Sequence, residues 1–327
     1  MRMLKSTTKK DREEEGFNLL YQNKSEFEII GHEKPDFHIR HTEGHIFGVE
    51  LTDFFYNESS ARSKLIPGYV AQILNGGTYK HKNDYEELPL EEMKYKSRDG
   101  EKIKSITGIF IEPKKNKDIV NRFRKMISQK NESFKQYLEK FDHVDLIIYD
   151  RENFLVNNEE NRFFLLFLQN IITEVVKNSP FREIYFITNK KDSGLVYIPL
   201  KLLYWSSTLL TFKKHYLNFF QHNNDKKFDK YFNHYYYYLQ LIGINKVFED
   251  DVEKFKLYYG NSSIRINNGK YDIKTYNNAR LPNTIHPVKI AMHKIDSEFD
   301  LYINKLKDKI IGHLILYFPL KQETKTT

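Results

Sequence analysis

Asp36 and Glu50 stand 14 positions apart (50 − 36 = 14), each at the end of a short apolar run, a setting that suits a hard divalent cation. Asp36 follows Pro35 and opens Asp36-Phe37-His38-Ile39-Arg40, while Glu50 lies near the end of Ile46-Phe47-Gly48-Val49-Glu50-Leu51. Both runs alternate in part between apolar and polar residues, as strands do, and Thr42-Glu43-Gly44-His45 reads as the hairpin connection. In an antiparallel hairpin the start of one strand and the end of the next share the open end of the ladder, so both carboxylates can reach one ion. Two oxygen ligands held by a sheet, with a cation to orient water or neutralise developing charge, are what metal-assisted phosphodiester hydrolysis needs. An aspartate after proline also caps turns, which leaves Asp36 a second reading. Glu50, inside an apolar run and before Phe54-Phe55, has little reason to be there unless it sits on an exposed edge.

The cation must come from another element. The spacing of Ile119, Phe123, Met126, Ile127, Phe134, Tyr137, Leu138 and Phe141 predicts a long helix from about 118 to 141 with one apolar face. Lys130 falls on that face, three after Ile127 and four before Phe134. Burying an unpaired ammonium is costly, so an acidic site beneath the helix would account for it; a long stem over apolar surface with its head in water is the other reading. Lys125 lies off the face and is the weaker candidate, and Tyr137 is expected in the core. A first helix, about 9–22, offers Glu13, Glu14 and Glu15. With Phe17 and Leu20 inward, Glu13 is nearest the buried face; Glu14 stays a candidate, and all three also suit a solvated helix N-terminal half.

Glu33-Lys34-Pro35-Asp36-Phe37 and Gly48-Val49-Glu50-Leu51-Thr52, on successive strands after a Glu-bearing helix, resemble the PD-(D/E)XK nuclease superfamily over residues from about 10 to 150. The resemblance implies a restriction-endonuclease-like α/β core, a mixed sheet flanked by helices. It implies Mg2+ (or Mn2+) held by Asp36, Glu50 and the Leu51 carbonyl, and hydrolysis of nucleic acid, with DNA the expected substrate. The family's motif lysine is Thr52 here. Migration of that lysine to the following helix, known among relatives, implies Lys130 as its replacement, with Glu13 assisting; otherwise the fold binds nucleic acid or protein without cutting.

Lys34 and Arg40 flank the proposed site and could hold a phosphate backbone. His38, His41 and His45 invite comparison with a zinc set, but strand alternation does not point all three the same way, so a solvated or phosphate-contacting role is expected. Tyr235-Tyr236-Tyr237-Tyr238, after Lys226, Lys227, Lys230 and His234, could offer a stacking and charge surface; four consecutive tyrosines on a helix point all round, and core packing is expected for most.

The remaining elements follow from the same patterns. We expect a largely loop-like region at 57–102 with a helix near 66–74, strands at 105–111, 143–149 and 182–188, and a helix at 163–177. Beyond a boundary near 199, aromatic-rich helices at 201–221 and 226–241, a small hairpin at 256–275 and a helix at 288–309 are expected to form a mostly helical substrate- or partner-binding part. The chain of 327 residues is basic, with net charge +8, which favours polyanionic partners without choosing among them. There is no cysteine, which excludes disulfides, thiolate zinc and cysteine nucleophiles and suits a reducing cytoplasm. No apolar run approaches a membrane span and no signal-peptide stretch opens the chain, so a cytoplasmic location without membrane contact is expected, a homo-oligomer or partner protein being left open. No Walker A, Gly-x-Ser-x-Gly or His-Glu-x-x-His string is present to support nucleotide-driven, serine-hydrolase or zincin chemistry.

Overall fold

The computed structural model describes residues 8–21, 25–96, 103–110, 115–137, 139–153, 170–190, 194–220, 227–244, 248–250, 256–267, 270–275, 285–287 and 297–306. Its elements in chain order begin with α1 (Lys9–Leu20), β1 (Phe27–Gly31), β2 (Phe37–His41) and β3 (Ile46–Phe54). Three short helices follow, α2 (Glu58–Leu65), α3 (Tyr69–Leu74) and α4 (Lys82–Glu87), then β4 (Leu90–Lys96) and β5 (Ile103–Ile109). Next come α5 (Asn116–Ser133), β6 (His143–Asp150), α6 (Asn170–Lys177), β7 (Ile184–Lys190) and β8 (Gly194–Pro199). The last part holds α7 (Leu200–Phe220), α8 (Lys227–Leu241), β9 (Phe248–Asp250), β10 (Lys256–Tyr259), β11 (Ser262–Asn267), β12 (Lys270–Thr275), β13 (Ile285–Pro287) and α9 (Ser297–Leu306).

The main sheet has the order β1-β2-β3-β6-β7-β8. β1, β2 and β3 form an antiparallel meander, β3-β6 and β6-β7 are parallel, and β8 returns antiparallel. The protein is therefore α/β, with a mixed six-stranded sheet between helices. β6 is apolar along most of its length because both of its faces are covered. Its Ile147 and Tyr149 pack with Phe17 of α1 and Tyr21 just after it, together with Phe37, Val49 and Leu51. Its Val144, Leu146 and Ile148 pack with Ile119, Val120, Phe123 and Ile127 of α5. The period-two alternation thus assigns odd positions of β3 and β6 to the α1 face and even positions to the α5 face.

A second core joins α7, α8 and α9, with Trp205, Phe212, Tyr235, Tyr238 and Phe299 all buried, to the five-stranded antiparallel sheet β12-β11-β10-β9-β13. The expected small hairpin is one corner of that sheet.

Two expectations need correction. The described part of the region expected to be largely loop-like, 57–96, is not so: beside the helix expected near 66–74, seen as α3, two more helices, α2 and α4, form with it around the buried carboxylate of Asp84, which accepts from Ser59 Oγ, from the Arg62 guanidinium and, at 2.5 Å, from the Tyr69 hydroxyl. Tyr69, Ile73 and Leu88 close a small core there. Its polar composition hides this, because the stabilising centre is itself polar. Also, the helix expected to run to 141 ends at Ser133 and tightens into a 3-10 turn, Phe134–Gln136, before Tyr137. Apolar spacing continues through the break because Phe134 and Tyr137 still face the same core. The stretches 163–169, 288–296 and 307–309 lie outside the described residues, and no helix among those described is long and apolar enough to cross a membrane.

Candidate metal and phosphodiester site

Register brings the two carboxylates together. The last pair between β2 and β3 is Phe37 with Val49, so Glu50 begins the part of β3 whose edge is open on the β2 side. Asp36 sits just before β2, across from that open edge, and its Oδ2 accepts the Leu51 N–H at 2.7 Å. Pro35, joined to Lys34 by a cis peptide, lies against Gly48 so closely that a Cβ there would overlap its Cγ. Gly16 does the same for the other wall: a Cβ would stand 2.6 Å from Leu51 Cδ2, so a larger residue would hold α1 away from β3. α1 starts with a capping box in which Asp11 N–H donates to Thr8 Oγ1 at 3.1 Å and Thr8 N–H to Asp11 Oδ2 at 2.7 Å.

The resulting cleft, of about 200 Å3, is lined by Lys9, Arg12, Glu13, Asp36, Glu50, Leu51, Thr52, Asp53 and Lys130. Glu50 is on the α5 face of β3, where Lys130 Nζ donates to its Oε1 at 2.6 Å and the Tyr137 hydroxyl to its Oε2 at 3.1 Å. The Lys130 side chain keeps 26% of its surface exposed, against 10% for Glu50, so the ammonium meets the cleft and not bulk water alone. Glu13 reaches in from α1, with Lys9 Nζ at 3.0 Å from its Oε1. Asp53 is held by Arg12 Nε at 3.1 Å and Arg151 Nε at 2.7 Å.

Asp36 makes no ion pair among the described residues. Its pKa is pushed up to about 6, first by desolvation and then by the charge of Glu50, with Glu13 adding to it; the Leu51 N–H and Lys9 oppose the rise. A cation between Asp36 and Glu50 would relieve that charge. The Asp36 oxygen not engaged by Leu51, the remaining lone pairs of Glu50, and Glu13 nearby are hard oxygen donors of the kind Mg2+ or Mn2+ takes. The chemistry of this donor set, oxygen only, is that of a hard divalent cation. Burial also pushes the Tyr137 hydroxyl well above its usual range, with Glu50 adding to it, so it stays a proton donor to Glu50.

Asp36, Glu50, Leu51, Lys130 and Glu13 thus converge on one cleft, and Thr52 lines it from the same face of β3 as Glu50. Glu14 and Lys125 are exposed and line no part of it. Lys34 and Arg40 do not line it either; Arg40 is exposed toward the other end of β2, 3.4 Å from Glu28. Lys9, Arg12 and Asp53 escaped the sequence reading. A signal existed in Lys9 and Arg12, which share the α1 face with Glu13 at helical spacing.

Two of the three histidines depart from expectation. His38 donates from Nε2 to the Glu33 carbonyl at 2.9 Å and packs on Phe141. His41 and His45 are buried and stacked 4.7 Å apart, so neither is solvated or free to meet phosphate. The turn explains it: His41 N–H donates to the His45 carbonyl, which places the two opposite each other on one face. The aromatic helix is likewise interior, for Tyr235, Tyr236, Tyr237, Tyr238 and His234 are all buried, which removes them from any stacking surface. Lys226 lies outside the described residues.

No family model matches the chain, and comparison with curated proteins and with solved structures gives no significant match to either.

Proposed function

We propose that the chain is a metal-dependent nuclease of the PD-(D/E)XK kind, with a restriction-endonuclease-like core, which hydrolyses phosphodiester bonds in nucleic acid, DNA being the first substrate to test. The observation that carries this reading is the 2.6 Å contact of Lys130 with Glu50, in a cleft where Asp36 has no cation of its own. It supplies from α5 the positive charge that Thr52 does not, and so favours cutting over the alternative of a nuclease-like module that only binds.

A divalent metal, when bound by Asp36, Glu50 and the Leu51 carbonyl, supplies Lewis-acid stabilisation of the phosphate and a water of lowered pKa. Lys130 stands where its ammonium can orient the attacking water or meet charge growing on the phosphate. Tyr137 holds Glu50 from the side opposite Lys130, so the carboxylate does not rotate when substrate enters. Lys9 and Arg12, on the α1 wall, face the cleft where a phosphate backbone would pass. The net charge of +8 assists the approach of such a polyanion.

The deciding measurement is cleavage of single- and double-stranded DNA and RNA with Mg2+ or Mn2+, by the wild type and by Asp36→Ala, Glu50→Ala and Lys130→Ala. Cleavage abolished in both carboxylate variants, with binding retained, is the expected result. Equal cleavage in those variants would overturn the mechanism.

A further inference from the structure

We propose that His41, Glu43 and His45, at the β2–β3 turn, bind a divalent ion of the zinc class, at a site separate from the carboxylate cleft. His41 ends β2 and Asp36 precedes it, so the two sites lie roughly 16 Å apart along the strand at about 3.3 Å per residue. The turn itself builds the site. Gly44 adopts φ +89, a left-handed conformation that glycine takes without strain, and His41 and His45 are set opposite each other on one face.

One donor atom from each of the three residues lies within 4.8 Å of the others, and His41 Nδ1 is 3.8 Å from Glu43 Oε2. A tetrahedral zinc with metal–ligand distances of about 2.0–2.1 Å holds its ligand atoms roughly 3.4 Å apart. The set is therefore within a small side-chain rotation of closing on an ion. Glu43 can make that rotation, since its side chain is 65% exposed. Glu43 N–H donates to His41 Nδ1 at 3.1 Å, which assigns the lone pair of the ring to the nitrogen nearest the carboxylate; an ion would take it in place of that bond.

A third imidazole stands close by. The His143 ring is 6.0 Å from that of His45, and its Nε2 is shielded from solvent without a hydrogen-bond partner among the described residues. Two imidazoles and one carboxylate, with a third imidazole beyond, form a nitrogen-rich set that suits zinc, cobalt or nickel and not the oxygen-only preference of Mg2+. Bound there, the ion would tie the turn of β2 and β3 beside the start of β6.

The test uses the full chain, stripped with chelator, in an Asp36→Ala/Glu50→Ala background so that the cleft cannot compete. Titration with Co2+, followed by its visible absorption, should show one equivalent bound with the intense bands of a four-coordinate ion, displaced by Zn2+. His41→Gln and His45→Gln should each weaken binding by about tenfold or more. Glu43→Gln, at an exposed side chain that leaves packing intact, should weaken it too and keeps the test valid if a histidine variant misfolds. Failure to bind Co2+ or Zn2+, or affinity unchanged in Glu43→Gln and His41→Gln, would overturn the proposal. Neither result bears on the Mg2+ site, which this background removes.

Discussion

Two carboxylates on neighbouring strands of the same sheet, Asp145 of β6 and Glu50 of β3, each meet a cation from outside their own strand, and yet their surroundings differ completely. Asp145 is enclosed. Its Oδ1 accepts Arg182 Nε at 3.0 Å and Glu183 N–H at 3.1 Å, while its Oδ2 accepts Arg182 Nη2 at 2.5 Å and the Tyr21 hydroxyl at 2.8 Å. Every lone-pair direction is occupied, and the partner guanidinium is buried with it. Glu50 opens instead onto a cleft where Asp53 is held by Arg12 and Arg151 but Glu13 meets only the exposed Lys9 and Asp36 has no ion pair among the described residues. A charged group in a finished network holds the sheet together, and a surplus of the same charge beside a cavity leaves work for something that binds there.

The comparison is broken most directly by removing each acid. Asp145→Ala strands a buried Arg182 and should cost about 3–5 kcal/mol of stability, read from denaturant unfolding. Cleavage by the folded fraction of that variant should be near wild type. Asp36→Asn should do the opposite: cleavage falls by about 10^3-fold or more, while the unfolding midpoint in chelator stays level or rises. If both variants lost stability alike, the cleft would be a structural ion-pair network and not a metal site.

Lys130→Ala separates cutting from binding. Removing a group that stabilises transition-state charge should lower kcat by about 10^2-fold, with DNA affinity nearly unchanged, and Lys130→Arg should recover part of the loss. An unchanged kcat would leave Lys130 as a structural ion-pair partner of Glu50 and not a participant in cleavage.

Much of this site was legible because it depends on local pattern. Asp36 and Glu50 follow from strand alternation and a short hairpin, and Lys130 from its place in the Ile127–Phe134 stripe. What escaped depends on contacts between segments far apart in the chain. Asp145 and Arg182 sit 37 positions apart, and Asp53 meets Arg151 across 98. Asp84 organises α2 to α4 through polar bonds that leave no apolar period to read. His41 and His45 were misjudged for a subtler reason. Alternation rightly sets His38 apart, but the pairing of the other two is a property of the turn, which composition does not specify.

The pH dependence sharpens the contrast further. Asp36 has its pKa raised from 3.8 to about 6 in the fold, so its charged form is disfavoured there. The resulting cost is absent below about pH 4, grows between pH 4 and 6, and is complete above about 6. In chelator, the stability advantage of Asp36→Asn over wild type should therefore grow across pH 4 to 6 and then level off. Adding Mg2+ at pH 7 should stabilise the wild type and not the variant. A difference that is flat with pH would mean that the fold neither desolvates Asp36 nor crowds it with Glu50 and Glu13.

The smallest effect belongs to Tyr137, a core residue whose hydroxyl reaches Glu50. Its ring packs with Phe134 and the α5 residues, and its hydroxyl alone reaches Glu50. Tyr137→Phe keeps the ring and removes one hydrogen bond to a charged acceptor, so it should cost about 1.5–3 kcal/mol at most in any property that depends on that bond. If the hydroxyl only fills space, the loss appears in unfolding and kcat is unchanged. If it fixes the Glu50 rotamer, the loss appears in kcat and in Mg2+ affinity, because Lys130 can then draw the carboxylate out of line with Asp36. We expect the second pattern, since Glu50 is held from two sides by donors on separate turns of the chain and loses its opposing restraint when one is removed.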